Sequence, residues 1–215
     1  MKKSIKAFID FYKKAEKLKV TTRHSWCSDS SRQESVAEHS WMLCLLAMLL
    51  FDQIKVKVDL LKVLKMVTIH DLAEAVTGDI PAHEISVRNR KENKYKAEQK
   101  ALKSIVSGLP KIKAREIINF WEEIEENKTA EAKFAHSLDK MEVVMQHNLA
   151  DISTWDEGDY RASPYYKDEY FDFDPFMRAL RDVISLQGMK KVLKAKTEHR
   201  LDPKHLEKYL KNKKS

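Results

Sequence analysis

Adjacent His70 and Asp71 stand where the surrounding pattern asks for buried apolar side chains. In residues 59–78 (DLLKVLKMVTIHDLAEAVTG), Leu60, Leu64 and Val67 mark one helix face, and the same spacing continues to Asp71 and Glu74. The neighbouring stripe through Val63 and Val67 leads to His70. Three ionisable groups are thereby aimed at a side that begins as core. Charge buried without a partner is costly enough that such groups are neutralised, paired or bound to a metal. The pattern calls for a cation.

Two further residues fit the same chemistry. His39 falls in the first turn or so of a second helix, and Asp139 borders the apolar stripe Phe134, Leu138, Met141 and Met145 of a third. Two imidazoles and two carboxylates make a mixed nitrogen and oxygen set suited to Mn, Co, Fe, Ni or Zn, with positions left for water and substrate. Mg, which favours oxygen, is the poorer match. Singly, each residue has a plainer reading. His39 would be a surface or hydrogen-bonded residue, Asp139 a solvated carboxylate or the partner of Lys140, and Glu38 a helix cap. Only the combination points to an ion.

The elements that must hold these residues are helices. Only 4 Gly and 5 Pro occur in 215 residues, and Leu, Lys, Glu and Ala abound, so the fold class is all-α. A first helix spans 4–18, and the polar stretch 21–33 reads as a structured loop. Ser35 and Glu38 have the spacing of a capping box, opening a helix to about Phe51 that is apolar around most of its circumference and therefore central. The helix from Asp59 ends near Gly78. Others are expected at 91–107, 111–126 and 130–150, and Asp174-Pro175 and Asp202-Pro203 each read as an N-cap followed by proline. Residues 155–173, rich in Tyr, Asp and Gly, read as a long loop.

Composition excludes several classes. The longest apolar run, 41–51, is about half of the roughly 20 residues a membrane span needs. The basic start lacks the long apolar segment of a signal peptide. Cys27 and Cys44 are isolated, which fits a reduced cytoplasm. The net charge of +7 resides wholly beyond residue 187, where ten basic residues face three acidic ones. The expected division is therefore a catalytic domain over 1–187 and a basic helical tail over 188–215. A solvated terminal helix accounts for that charge more simply than a nucleic-acid-binding element.

The segments 32–40 (RQESVAEHS), 70–81 (HDLAEAVTGDIP) and 130–139 (AEAKFAHSLD) together resemble the HD-domain metal-dependent phosphohydrolases, and within them the 5′-deoxynucleotidase branch. The resemblance spans about residues 5–150. It implies a helical bundle with a metal between central helices, ligands His39, His70, Asp71 and Asp139, and a reaction centre that includes Glu74 and Asp79. Arg23 matches the family's phosphate-orienting arginine. The bacterial pattern places Trp directly after that Arg, beside the sugar. Here the order is Arg23-His24-Ser25-Trp26, so Trp26 or His24 must supply that wall, with Asp79 near the sugar hydroxyl.

The implied activity is metal-dependent hydrolysis of (deoxy)nucleoside 5′-monophosphates to nucleoside and phosphate, by a cytoplasmic homodimer. Two other readings compete: an HD-type phosphohydrolase acting on cyclic nucleotides or nucleoside triphosphates, and a non-enzymatic helical module that binds nucleic acid through its basic tail. A dinuclear HD oxygenase would need two extra His ligands, for which only His83 and His136 fall in the interval between Asp71 and Asp139.

Overall fold

The computed structural model describes residues 2–80 and 88–212. Among them lie α1 (Lys2–Ala15), β1 (Thr22–Trp26), β2 (Gln33–Ser35), α2 (Val36–Leu50), α3 (Leu60–Ile69), α4 (Glu74–Thr77) and α5 (Arg88–Val106). Then follow α6 (Lys111–Glu126), α7 (Ala130–Leu149), α8 (Glu157–Ala162), α9 (Pro175–Lys194) and α10 (Pro203–Asn212). The fold is helical, with one small antiparallel hairpin of β1 and β2.

Local chemistry sets most of the helix starts. The Ser35 hydroxyl accepts from the Glu38 amide while the Glu38 carboxylate takes the Ser35 amide, so the capping box opens α2 as its spacing predicts. Asp59 caps α3 and Thr129 caps α7. Asp174 receives the Phe176 and Met177 amides ahead of α9 and also those of Lys55 and Val56, tying a distant loop to that cap.

The main core is built where α2, α3, α7 and α9 meet, from Leu43, Val63, Met66, Phe134, Leu138, Met141 and Met177. A second cluster, around Leu102, Ile105 and Trp121, joins α5 and α6 to the α3–α4 turn through Leu72 and Ala73. Apolar burial at roughly 25 cal/mol per Å² is the main force holding these helices together.

Four expectations change. Residues 21–33 contain β1 and the start of its partner strand rather than loop alone, because the Val36 amide bonds the Thr21 carbonyl and the chain doubles back. Residues 155–173 are not an open loop: they include α8 and a 3₁₀ turn at Asp168–Phe171, and Trp155, Tyr160 and Phe171 are buried. The helix across 59–78 is interrupted. After Ile69 the backbone bonds shorten to the i→i+3 pattern, Leu72 N to Ile69 O, Glu74 N to Asp71 O and Val76 N to Ala73 O, before α4 ends at Gly78 with φ +74°. Finally, α2 is not enclosed: Trp41, Met48 and Leu49 are 63%, 57% and 60% exposed.

The boundary placed after residue 187 runs through α9. Gly188, Met189 and Val192 are buried, and Met189 and Val192 pack with Trp155, Tyr160 and Leu201. Several basic residues of the last segment are engaged inside the molecule: Arg200 with Glu157 at 2.6 Å, Lys208 with Asp168, and Lys191 with the His147 carbonyl at 2.6 Å.

Candidate metal centre

Neighbours His70 and Asp71 stand at the break between α3 and α4 and face one point. His70 Nδ1 donates to the Val67 carbonyl at 2.8 Å, so its Nε2 is the free lone pair, and that atom lies 3.0 Å from Asp71 Oδ2. On α2, fully buried His39 brings its Nε2 to 3.9 Å from Asp71 Oδ2 and 3.4 Å from Asp139 Oδ1 of α7. The donor atoms of His39, His70 and Asp71 all lie within 4.8 Å of one another. Tetrahedral coordination with bonds of about 2.0–2.1 Å separates ligands by comparable distances.

The donor set fits an ion on a second count. His39 Nε2 and His70 Nε2 are both buried and make no well-formed hydrogen bond, although carboxylate oxygens stand 3.4 and 3.0 Å away. A native interior rarely leaves such atoms orphaned, and two aimed at one pair of carboxylates is the arrangement a divalent ion completes.

The electrostatics are strongly opposed. Burial disfavours charge on Asp71 and Asp139, but His70 and Arg23 hold Asp71 below the usual carboxylate range, and Lys140 and His39 do so for Asp139. Burial and Arg23 work against a charged His39, yet Glu142 and Asp139 outweigh them and raise it to about 9.

A cleft opens beside this cluster, lined by Arg23, His24, Glu74, Asp79, Lys94 and Lys140 among others. Arg23 Nη1 donates to Asp71 Oδ2 at 2.9 Å, and Lys140 Nζ meets Asp139 Oδ2 at 2.6 Å. Each carboxylate of the cluster thus has a cation beside it that also faces the cleft. Glu74 is buried; desolvation, then the charges of Asp71 and Asp79, push its carboxyl up to about 10.

A family model described as an HD domain matches residues 15–181. The chain belongs to the HD-domain family. The HD chain is 32% identical over 143 residues to the 5′-deoxynucleotidase HDDC2 of Homo sapiens, a match covering 66% of this chain and 67% of that one. It is 34% identical to the 5′-deoxynucleotidase hdd1 of Schizosaccharomyces pombe, covering 66% and 70%. Among solved structures, a predicted metal-dependent phosphohydrolase from Magnetospirillum magnetotacticum superposes with a TM-score of 0.73 at 25% identity, covering 94% of this chain and 100% of that one.

In this HD domain the structure brings Arg23, His24, Asp71, Glu74, Asp79 and Asp139 to the cleft, with His39 and His70 behind its floor. Trp26 does not line it; His24 does. The His24 ring is held by Asp159 at 3.0 Å. His136 lies away from the cluster in its bonding: Nε2 donates to the Ile124 carbonyl at 2.8 Å, and the ring packs on Tyr170. His83 falls outside the described residues.

Sequence reasoning passed over several residues that the fold brings in. Lys94, Asp159 and Tyr166 line the cleft, as does Lys140, read from sequence only as a partner for Asp139, and Glu34 and Glu142 lie near His39. Glu142 carried a readable signal, since it sits one helical turn after Asp139, and so did Glu34, inside the first motif. Asp159 and Tyr166 carried none, because the stretch that holds them has no helical period.

Proposed function

We propose that this HD-domain protein is a divalent-metal-dependent phosphohydrolase that removes the phosphate of deoxynucleoside 5′-monophosphates. The observation that carries this reading is the pair of orphaned imidazole nitrogens converging with Asp71 and Asp139 beside a cleft that also holds Arg23 and Lys140. The names of the relatives, 5′-deoxynucleotidases from human to fission yeast, support the substrate class.

His39, His70, Asp71 and Asp139 would hold the ion. Bound there, it would polarise a phosphoryl oxygen and acidify water. The remaining chemistry belongs to the chain. Arg23, whose fork suits phosphate oxygens, neutralises charge that grows on the phosphoryl group, with Lys140 and Lys94 adding positive potential. Glu74 takes the proton of the attacking water. Burial and the charges of Asp71 and Asp79 outweigh Arg23 and Lys94 and keep its carboxyl protonated, so added positive charge at the cluster would free it to act as a base. Asp79, just beyond the α4 stop, serves the leaving-group side, holding the sugar hydroxyl or giving a proton to the departing 5′-oxygen. His24, fixed by Asp159, supplies the wall against the sugar.

The donor chemistry favours Mn, Co, Fe, Ni or Zn over Mg. The exposed stripe of Trp41, Met48 and Leu49 on α2, together with Ile5, Phe8 and Tyr12 on α1, supports assembly as a homodimer, which light scattering would test through dissociation on Trp41→Glu. Two unpaired cysteines support a cytoplasmic location.

The deciding experiment is a phosphate-release panel of ribo- and deoxyribonucleoside mono-, cyclic and triphosphates across these ions. Turnover of deoxynucleoside monophosphates above all others is expected. Release confined to triphosphates or cyclic nucleotides, or none with any ion, would refute the proposal.

A further inference from the structure

We propose that Glu142 and Glu34 form a buried carboxylate pair that positions the two side chains the reaction depends on: Glu142 the imidazole of His39, and Glu34 the guanidinium of Arg23. The inference rests on reading His39 as a metal ligand and Arg23 as a phosphate-binding group.

Glu142 follows Asp139 by one turn of α7, so a single helix reaches His39 on both ring nitrogens. Asp139 stands 3.4 Å from Nε2, while Glu142 Oε2 lies 2.7 Å from Nδ1. An ionised carboxylate can only accept, so Nδ1 carries the proton and Nε2 presents its lone pair to the ion. The second imidazole is held differently: His70 Nδ1 donates to the neutral carbonyl of Val67. The two imidazoles therefore differ in backing: His39 has a carboxylate behind it and His70 a neutral carbonyl.

Glu34 lies on β2, opposite β1, which carries Arg23. Its Oε1 is 3.4 Å from Arg23 Nε, while Nη1 of the same guanidinium reaches Asp71. The guanidinium thus has a carboxylate on two sides, Asp71 held by a hydrogen bond and Glu34 by charge alone. Donor atoms of Glu34, His39 and Glu142 lie within 4.8 Å of one another, and all three residues are buried. Two carboxylates buried side by side repel, and an apolar pair would pack there at lower cost. Their retention makes sense where each answers a cationic or proton-donating group of the site.

The test uses the full chain loaded with cobalt, reading affinity by competition with a chromogenic chelator, the visible spectrum of the bound ion, and the binding of inorganic phosphate by calorimetry. Glu142→Gln keeps the shape and an acceptor oxygen but removes the charge. Cobalt affinity should fall about 10–100-fold and the visible bands should shift. Glu142→Asp, which withdraws the charge by one methylene, should fall between Gln and wild type. Glu34→Gln should leave cobalt affinity little changed while weakening phosphate binding by about tenfold, a loss of about 1.4 kcal/mol. Melting in chelator establishes that each variant is folded. Wild-type protein that takes up no cobalt would sink the metal reading of the site itself. Wild type that binds cobalt while both Glu142 variants bind it as tightly, or Glu34→Gln with unchanged phosphate binding, would overturn this inference alone.

Discussion

Glu74 illustrates how one residue's environment assigns its work. It is buried, flanked by Asp71 and Asp79, and four residues past a metal-ligand candidate on a turn tightened toward the same cleft. Glu74→Gln should keep cobalt bound and lower kcat by about 10²–10⁴-fold, the range typical of a lost general base; turnover within a few-fold of wild type would remove it from the reaction. Arg23→Ala should raise KM and lower kcat together, because it withdraws both a phosphate contact and charge stabilisation in the transition state. His136 shows the opposite situation, an ionisable group kept out of the chemistry. Burial, aided by Lys140, lowers its pKa to about 4, so the folded protein holds it neutral. An unfolded chain takes up that proton as pH drops below about 6.5, so this residue's contribution to stability is intact above that value and is lost progressively toward pH 4. His136→Gln, which keeps a donor for the Ile124 carbonyl, should flatten the fall in denaturation midpoint between those pH values.

At the level of elements, the informative event is the interruption of the helix after Ile69. An unbroken α-helix sets adjacent residues about 100° apart, which spreads His70 and Asp71 around the axis. Their side chains nonetheless lean toward one point at the end of α3, with His70 Nε2 3.0 Å from Asp71 Oδ2. The crossing of α7 and α9 is the other constrained joint. A Cβ on Gly188 would stand 2.7 Å from Asn148 Oδ1 and 2.8 Å from Pro164 Cβ. Gly188→Ala should therefore destabilise the protein by about 1–3 kcal/mol, as overpacking does, measured by urea denaturation. A wild-type midpoint would mean that the helices can separate there without cost.

For the whole molecule, the proposed metal centre would be a joint of three helices, with α2, the α3–α4 turn and α7 each supplying candidate ligands. An ion held there binds the folded state and not the unfolded chain, so it should raise the melting temperature. At a free concentration of one hundred times Kd the stabilisation is about 2.7 kcal/mol. Scanning calorimetry with and without cobalt checks this, and a melting temperature indifferent to the ion would contradict ligation by all three helices. Because Met189 and Leu201 share a cluster with Trp155 and Tyr160, and α8 carries cleft residues Gly158 and Asp159, the last helices brace one wall of the site.

Local chemistry in the sequence was enough to place most helix starts, the capping box at Ser35, the N-cap at Asp174, and the candidate ligand types carried by three separate stretches. Those features depend on neighbours within about four residues, where spacing alone dictates which atoms meet. Tertiary structure decided the rest. The break at His70, the hairpin that turns Arg23 and Glu34 toward one another, the helical folding of 155–173 and the choice of His24 over Trp26 in the cleft all arise from contacts between residues far apart in the chain. Such contacts leave no period to read, because the partner that stabilises each one is set by packing and not by its sequence neighbours.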